Sequence, residues 1–100
     1  MMDLKKIQEE IWQNKIEKGF NTTDVSKEFC LLYTELGEAY DAYRKKKPDL
    51  GEEMADVAIF LLSLAKMLDI DLEKEVKRKV EKNKKRVYKK LDGFQVKAEG

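Results

Sequence analysis

The chain has 100 residues, the length of one domain, and carries 21 Lys and Arg against 20 Asp and Glu. A net charge of +1 gives no global field for nucleic acid or an anionic membrane, so neither is expected as a partner. Histidine is absent and Cys30 is the lone cysteine, which excludes Ser-His-Asp triads, Cys-His dyads, imidazole-ligated zinc and an internal disulfide.

Apolar residues make up 42% of the chain and charged residues 41%, leaving little neutral polar surface. Globular domains average about 25% charged residues, so amphipathic helices with heavily charged outer faces are expected. One proline and five glycines fit long helices better than a turn-rich β-sandwich. Residues 1–10 alternate acid and base without an apolar core, so no signal peptide is expected. The longest apolar stretch, Val57 to Ala65, is far short of the ~20 residues of a membrane span. A cytoplasmic protein is the expectation.

Leu4, Ile7 and Ile11 follow helical spacing, with Trp12 and Ile16 continuing it until Gly19-Phe20-Asn21 interrupts. A second helix opens at Thr22, Thr23 or Asp24, each a good N-cap, and its apolar stripe is Val25, Phe29, Leu32, Leu36, Tyr40 and Tyr43. Basic residues 44–47 suit its negative end, and Pro48 stops it. Asp49 and Glu52 resemble a capping box for a third helix from about Leu50. That helix is apolar on two sides, through Val57, Leu61, Leu62 and Leu68 and through Phe60, Leu64 and Met67, as a central helix would be. Asp71 caps a fourth helix, expected to carry Leu72, Val76, Val80, Val87 and Leu91 and to close at Asp92-Gly93. No strand is expected. The reading is an all-α four-helix bundle, one domain over residues 1–92 with a tail over 93–100.

Two acid pairs stand out by the faces they occupy. Glu53 and Asp56 open the stripe that continues as Phe60, Leu64 and Met67, while Glu35 and Glu38 share a stripe with Leu31. Carboxylates on stripes that otherwise look packed repel one another and need compensation. Salt bridges to nearby Lys or Arg would supply it, in a non-catalytic helical interaction module whose acids pair with the basic fourth helix. A divalent cation would also supply it, since four carboxylates make a hard oxygen site suited to Mg²⁺ or Mn²⁺.

Glu35-Leu36-Gly37-Glu38 followed by Glu53-Met54-Ala55-Asp56 resembles the Glu-x-x-Glu … Glu-x-x-Asp signature of the MazG-like, all-α NTP pyrophosphohydrolases. Trp12, Lys15 and Lys18-Gly19-Phe20 before it, and Lys79, Asn83 and Arg86 after it, extend the likeness from Ile7 to about Val87. The resemblance implies Mg²⁺-dependent conversion of nucleoside triphosphates to monophosphate and pyrophosphate, in nucleotide-pool house-cleaning. It makes Glu35, Glu38, Glu53 and Asp56 the metal ligands and catalytic acids, with Glu52 a further candidate for taking the proton of water. Lys79, Asn83 and Arg86, with Lys82, would hold phosphate oxygens. Trp12, Lys15, Phe20 and Phe60 are candidates for the base pocket. A two-faced third helix needs more cover than four helices provide, so a homodimer or homotetramer is expected, as the resemblance also implies.

Overall fold

The computed structural model describes residues 2–86, 88–91 and 94–97. Helix α1 spans Leu4–Glu17, with the Asp3 side chain accepting from the Lys6 N–H at its start. It ends where Gly19 takes φ +68°, a left-handed position that suits glycine. Helix α2 spans Val25–Arg44 and is capped by Asp24, whose carboxylate accepts from the Lys27 N–H. Lys46 adopts φ +55° in the turn after it. Helix α3 covers Leu50–Met67. Asp49 occupies its N-cap but makes no side-chain cap bond, so the expected capping box is not formed.

Helix α4 spans Leu72–Lys85, capped by Asp71, and ends six residues before the expected Leu91. Arg86 is already extended, at φ −78° and ψ 144°. Strand β1, Tyr88–Leu91, pairs antiparallel with β2, Phe94–Lys97, with Tyr88 opposite Lys97 and Leu91 opposite Phe94. The expectation of a strand-free chain is therefore corrected at its C-terminal end, where Leu91 lies in β1 and part of the tail is β2. Tyr88, Phe94 and Val96 favour strands, and the sequence places Asp-Gly between the two runs, a strong hairpin signal. The expected places of Val87 on α4 and of Asp92-Gly93 at its close lie outside the described residues.

The fold remains all-α in its body. Helices α2 and α3 pack antiparallel, bringing Glu38 to Glu53 at one end and Glu28 to Ser63 further along. Ala39 and Ala42 are buried on α2, where small side chains allow close approach, and Leu62, Leu64 and Ala65 are buried on α3. Helix α1 packs on α3, and its buried Gln8 donates to the carbonyls of Leu62 (3.0 Å) and Ile70 (3.1 Å). Helix α4 docks on α1 by its first turn, where the Leu4 N–H donates to Glu73 and Lys5 lies 3.7 Å from Asp71. Beyond that, every residue from Val76 to Lys85 is exposed.

The radius of gyration is 16.6 Å, well above the ~13 Å of a compact 100-residue domain. Large apolar faces are consequently uncovered. Much of the apolar stripe of α2 stays open, with Leu36 56% and Tyr40 63% exposed, while Leu32 is half-buried in a groove it shares with Val57 of α3; α3 itself leaves Met54, Ile59 and Leu61 open. The side of α2 facing α3 carries Glu28, Leu31, Glu35 and the two alanines instead. Among the described residues no helix is long and apolar enough to cross a membrane.

Candidate metal centre

Glu35 and Glu38 lie one turn apart on α2, and antiparallel packing sets Glu53 of α3 against them. One carboxylate oxygen from each of the three falls within 4.8 Å of the others. Glu35 and Glu53 are half-buried and Glu38 is exposed. Asp56 is exposed one turn further along α3 and lies outside this triplet, although its charge acts on both Glu35 and Glu53.

The electrostatics are those of crowded acids. The Glu35 carboxyl is raised above its ordinary value by desolvation first, then by the charges of Glu38, Asp56 and Glu53. Glu53 is raised by desolvation first, then by Asp49, Glu38 and Asp56, with Lys47 pulling the other way. The Oε2 atom of Glu53 and Oδ1 of Asp49 are buried without a hydrogen-bond partner among the described residues. None of Glu35, Glu38, Glu53 and Asp56 belongs to an ion pair among those residues either, so the salt bridges of the interaction-module reading are not made there. Oxygen-only donors at this spacing, one of them a buried orphan, fit a hard divalent cation.

A second cavity of about 350 Å³ lies further along the same two helices. Ile11, Phe20, Leu31 and Phe60 supply apolar wall, and Lys15, Asn21, Glu28 and Ser63 supply polar groups. Glu28 precedes Glu35 by two turns, which places cavity and acids about 10 Å apart along α2. Inside it Lys15 and Glu28 form a buried ion pair. Lys15 Nζ also donates to Ser63 Oγ (2.8 Å), and Asn21 Nδ2 donates to Glu28 Oε2 (3.2 Å). The cavity thus gathers three of the sequence candidates, Lys15, Phe20 and Phe60. Trp12 is half-buried on α1 and does not line it.

Glu28, Asn21 and Ser63 were not singled out by the sequence. For Glu28 a signal existed, because it stands seven residues before Glu35 and so on the same face. The basic candidates are not brought to the acids by their own chain's packing. Lys79, Lys82 and Asn83 are on the exposed part of α4, and none lines the cavity bounded by Glu38 and Glu53. Arg86 follows the helix, donates from Nη1 to Asn83 Oδ1 (3.2 Å) and has a buried, unpartnered Nε.

A sequence profile of the MazG-like family matches residues 27–99, most of α2 through β2 and all four acids. The match leaves α1 outside, with Trp12, Lys15 and Phe20. No curated protein and no solved structure shows significant similarity to the chain.

Proposed function

The chain belongs to the MazG-like family, and from that premise we propose that it hydrolyses nucleoside triphosphates to monophosphate and pyrophosphate with a divalent cation, Mg²⁺ or Mn²⁺. The convergence of Glu35, Glu38 and Glu53 within 4.8 Å carries this reading. A bound cation would offset triphosphate charge and make a water molecule acidic enough to attack phosphorus.

The chain's own groups do the rest. Glu35, Glu38, Glu53 and Asp56 hold the cation, and a carboxylate not fully engaged takes the proton of the attacking water. Desolvation and neighbouring acids raise Glu35 and Glu53, which makes each a stronger base toward that proton than an ordinary carboxylate. The cavity lined by Phe20, Phe60 and Lys15 receives the base, with the triphosphate reaching the acids along α2.

Cations for the phosphates come, in this reading, from a second copy of the chain. Helix α4 exposes its whole length from Val76 to Lys85, including Val76 and Val80, while α2 and α3 leave an apolar face uncovered. Homo-oligomerisation buries both and delivers Lys79, Lys82, Asn83 and Arg86 to the neighbour's acids. House-cleaning of the nucleotide pool in the cytoplasm is the corresponding role.

The test is product analysis of nucleoside triphosphates incubated with Mg²⁺. Monophosphate and pyrophosphate are expected. Diphosphate and orthophosphate as main products, or turnover indifferent to EDTA, would overturn the proposal.

A further inference from the structure

Glu28 is a carboxylate only 3% exposed, set in the wall of a largely apolar cavity. Buried charge of that kind is tolerated when its lone pairs are used. Its Oε1 takes Lys15 and its Oε2 takes Asn21, one bond on each oxygen. An ionised carboxylate offers about four acceptor sites, so each oxygen keeps one for a ligand. The cavity therefore presents two adjacent acceptors, fixed in place by partners on α1 and the α1–α2 loop. Beside them Lys15 directs a hydrogen at the Met67 sulfur, 3.7 Å away, a weak acceptor easily exchanged for an oxygen.

Bases differ in what they offer to such a pair. Guanine alone among the common bases has two adjacent donors, N1–H and the N2 amino group, with the O6 acceptor next to them. Adenine and cytosine offer one amino donor beside a ring nitrogen whose lone pair would face the second oxygen. Uracil and thymine offer one N–H between two carbonyls, so an oxygen of the base would face an oxygen of Glu28. A mismatched base leaves buried polar groups unpaired, which is the arrangement that discriminates most strongly.

We propose that Glu28 is the specificity-determining residue of the base cavity and selects guanine nucleotides, with Lys15 donating to O6. The proposal rests on the pyrophosphohydrolase reading for its substrate, but not for its binding chemistry. Wild-type protein with Mg²⁺ is assayed for kcat/KM on GTP, ITP, ATP, CTP and UTP. Calorimetric titration with GMP, IMP and AMP runs beside it.

GTP is expected to lead each other base by about tenfold or more, the worth of one good bidentate contact. ITP, which lacks only the N2 amino group, should fall behind GTP. Equal rates on GTP and ITP, or a faster base than guanine, would overturn the guanine assignment and leave hydrolysis standing. Guanine-selective binding without any turnover would support the assignment and sink the hydrolysis reading. Loss of both turnover and selective binding would remove both.

Glu28→Gln offers one acceptor and one donor, and should bring the GTP to ITP ratio toward one. A folded Glu28→Gln protein that keeps the wild-type ratio would equally overturn the proposal. Should that variant not fold, the wild-type comparison of GTP with ITP decides alone.

Discussion

Glu35 on α2 and Glu53 on α3 face each other across an antiparallel helix pair, each with a carboxylate oxygen within 4.8 Å of the other. Desolvation, then neighbouring acids, raise both carboxyls above their ordinary value of 4.5. A carboxyl raised by folding binds its proton more tightly in the folded state than in the unfolded one. Its stabilising contribution is complete below the unfolded pKa and is lost as pH rises through the folded one. Metal-free protein should therefore lose thermal stability from these two groups as pH climbs from about 4.5 toward neutrality. Mg²⁺ should restore most of it at neutral pH, and less as acidification lets protons compete. Melting midpoints across that range, with EDTA and with Mg²⁺, check this. A Glu35→Gln/Glu53→Gln protein whose pH profile superimposes on the wild type's would contradict it.

Glu53→Gln separates a metal ligand from a structural partner. Glu53 is in no ion pair among the described residues, and its Oε2 is a buried orphan. The amide keeps the size of the side chain and removes repulsion from Asp49, Glu38 and Asp56. Stability in EDTA should hold or rise slightly, the gain in midpoint from Mg²⁺ should shrink, and turnover should vanish. A variant much less stable than wild type in EDTA, or one with near-normal turnover, would show that Glu53 serves the fold instead.

The Lys15–Glu28 pair makes the opposite prediction. Here both partners are buried, with Ser63 and Asn21 completing the network. Lys15→Met strands a buried carboxylate and should cost about 3–5 kcal/mol in denaturant unfolding at neutral pH. The double variant Lys15→Met/Glu28→Met leaves no unpaired charge and should recover most of that loss. Equal destabilisation by the single and double changes would mean that packing, not charge, sets the cost.

These contrasts explain what was legible in the sequence. Helix positions followed from apolar spacing and from Asp24 and Asp71 as caps. The acid pairs stood out because they shared stripes with Leu31 and Phe60. Which apolar residues of α2 its own chain covers was not legible: Val25 and Leu32 are half-buried, Leu36, Tyr40 and Tyr43 are exposed, and the face toward α3 carries Glu28, Glu35, Ala39 and Ala42. Apolar periodicity reports that a face is to be covered, not by which chain. The hairpin was hidden for a different reason. Lys84, Lys85, Arg86, Lys89 and Lys90 read as the continuation of a charged helix, and Asp-Gly reads as a helix end as readily as a hairpin turn.

The basic residues on the exposed half of α4 are proposed to hold phosphate, and subunit mixing tests which chain's acids they serve. Light scattering should first give a multiple of the 11.7 kDa chain mass, since an 11.7 kDa particle at micromolar concentration excludes any shared site. Glu53→Gln is expected to inactivate the acids and leave α4 intact, and Arg86→Ala to abolish the phosphate grip and leave the acids intact. If each site pairs the acids of one copy with the α4 of another, a mixed dimer holds one doubly altered site and one wild-type site. Co-refolding the two inactive variants in equal amounts should then restore roughly a quarter of wild-type sites, because half the dimers are mixed and each has one good site. If acids and α4 act within a single chain, every site in the mixture carries one lesion. Activity no higher than the mean of the two variants alone would place Arg86 beside its own chain's acids and overturn the shared-site arrangement. Because both variants contribute to every reading, the comparison is made at equal total protein after exchange is confirmed by native mass spectrometry.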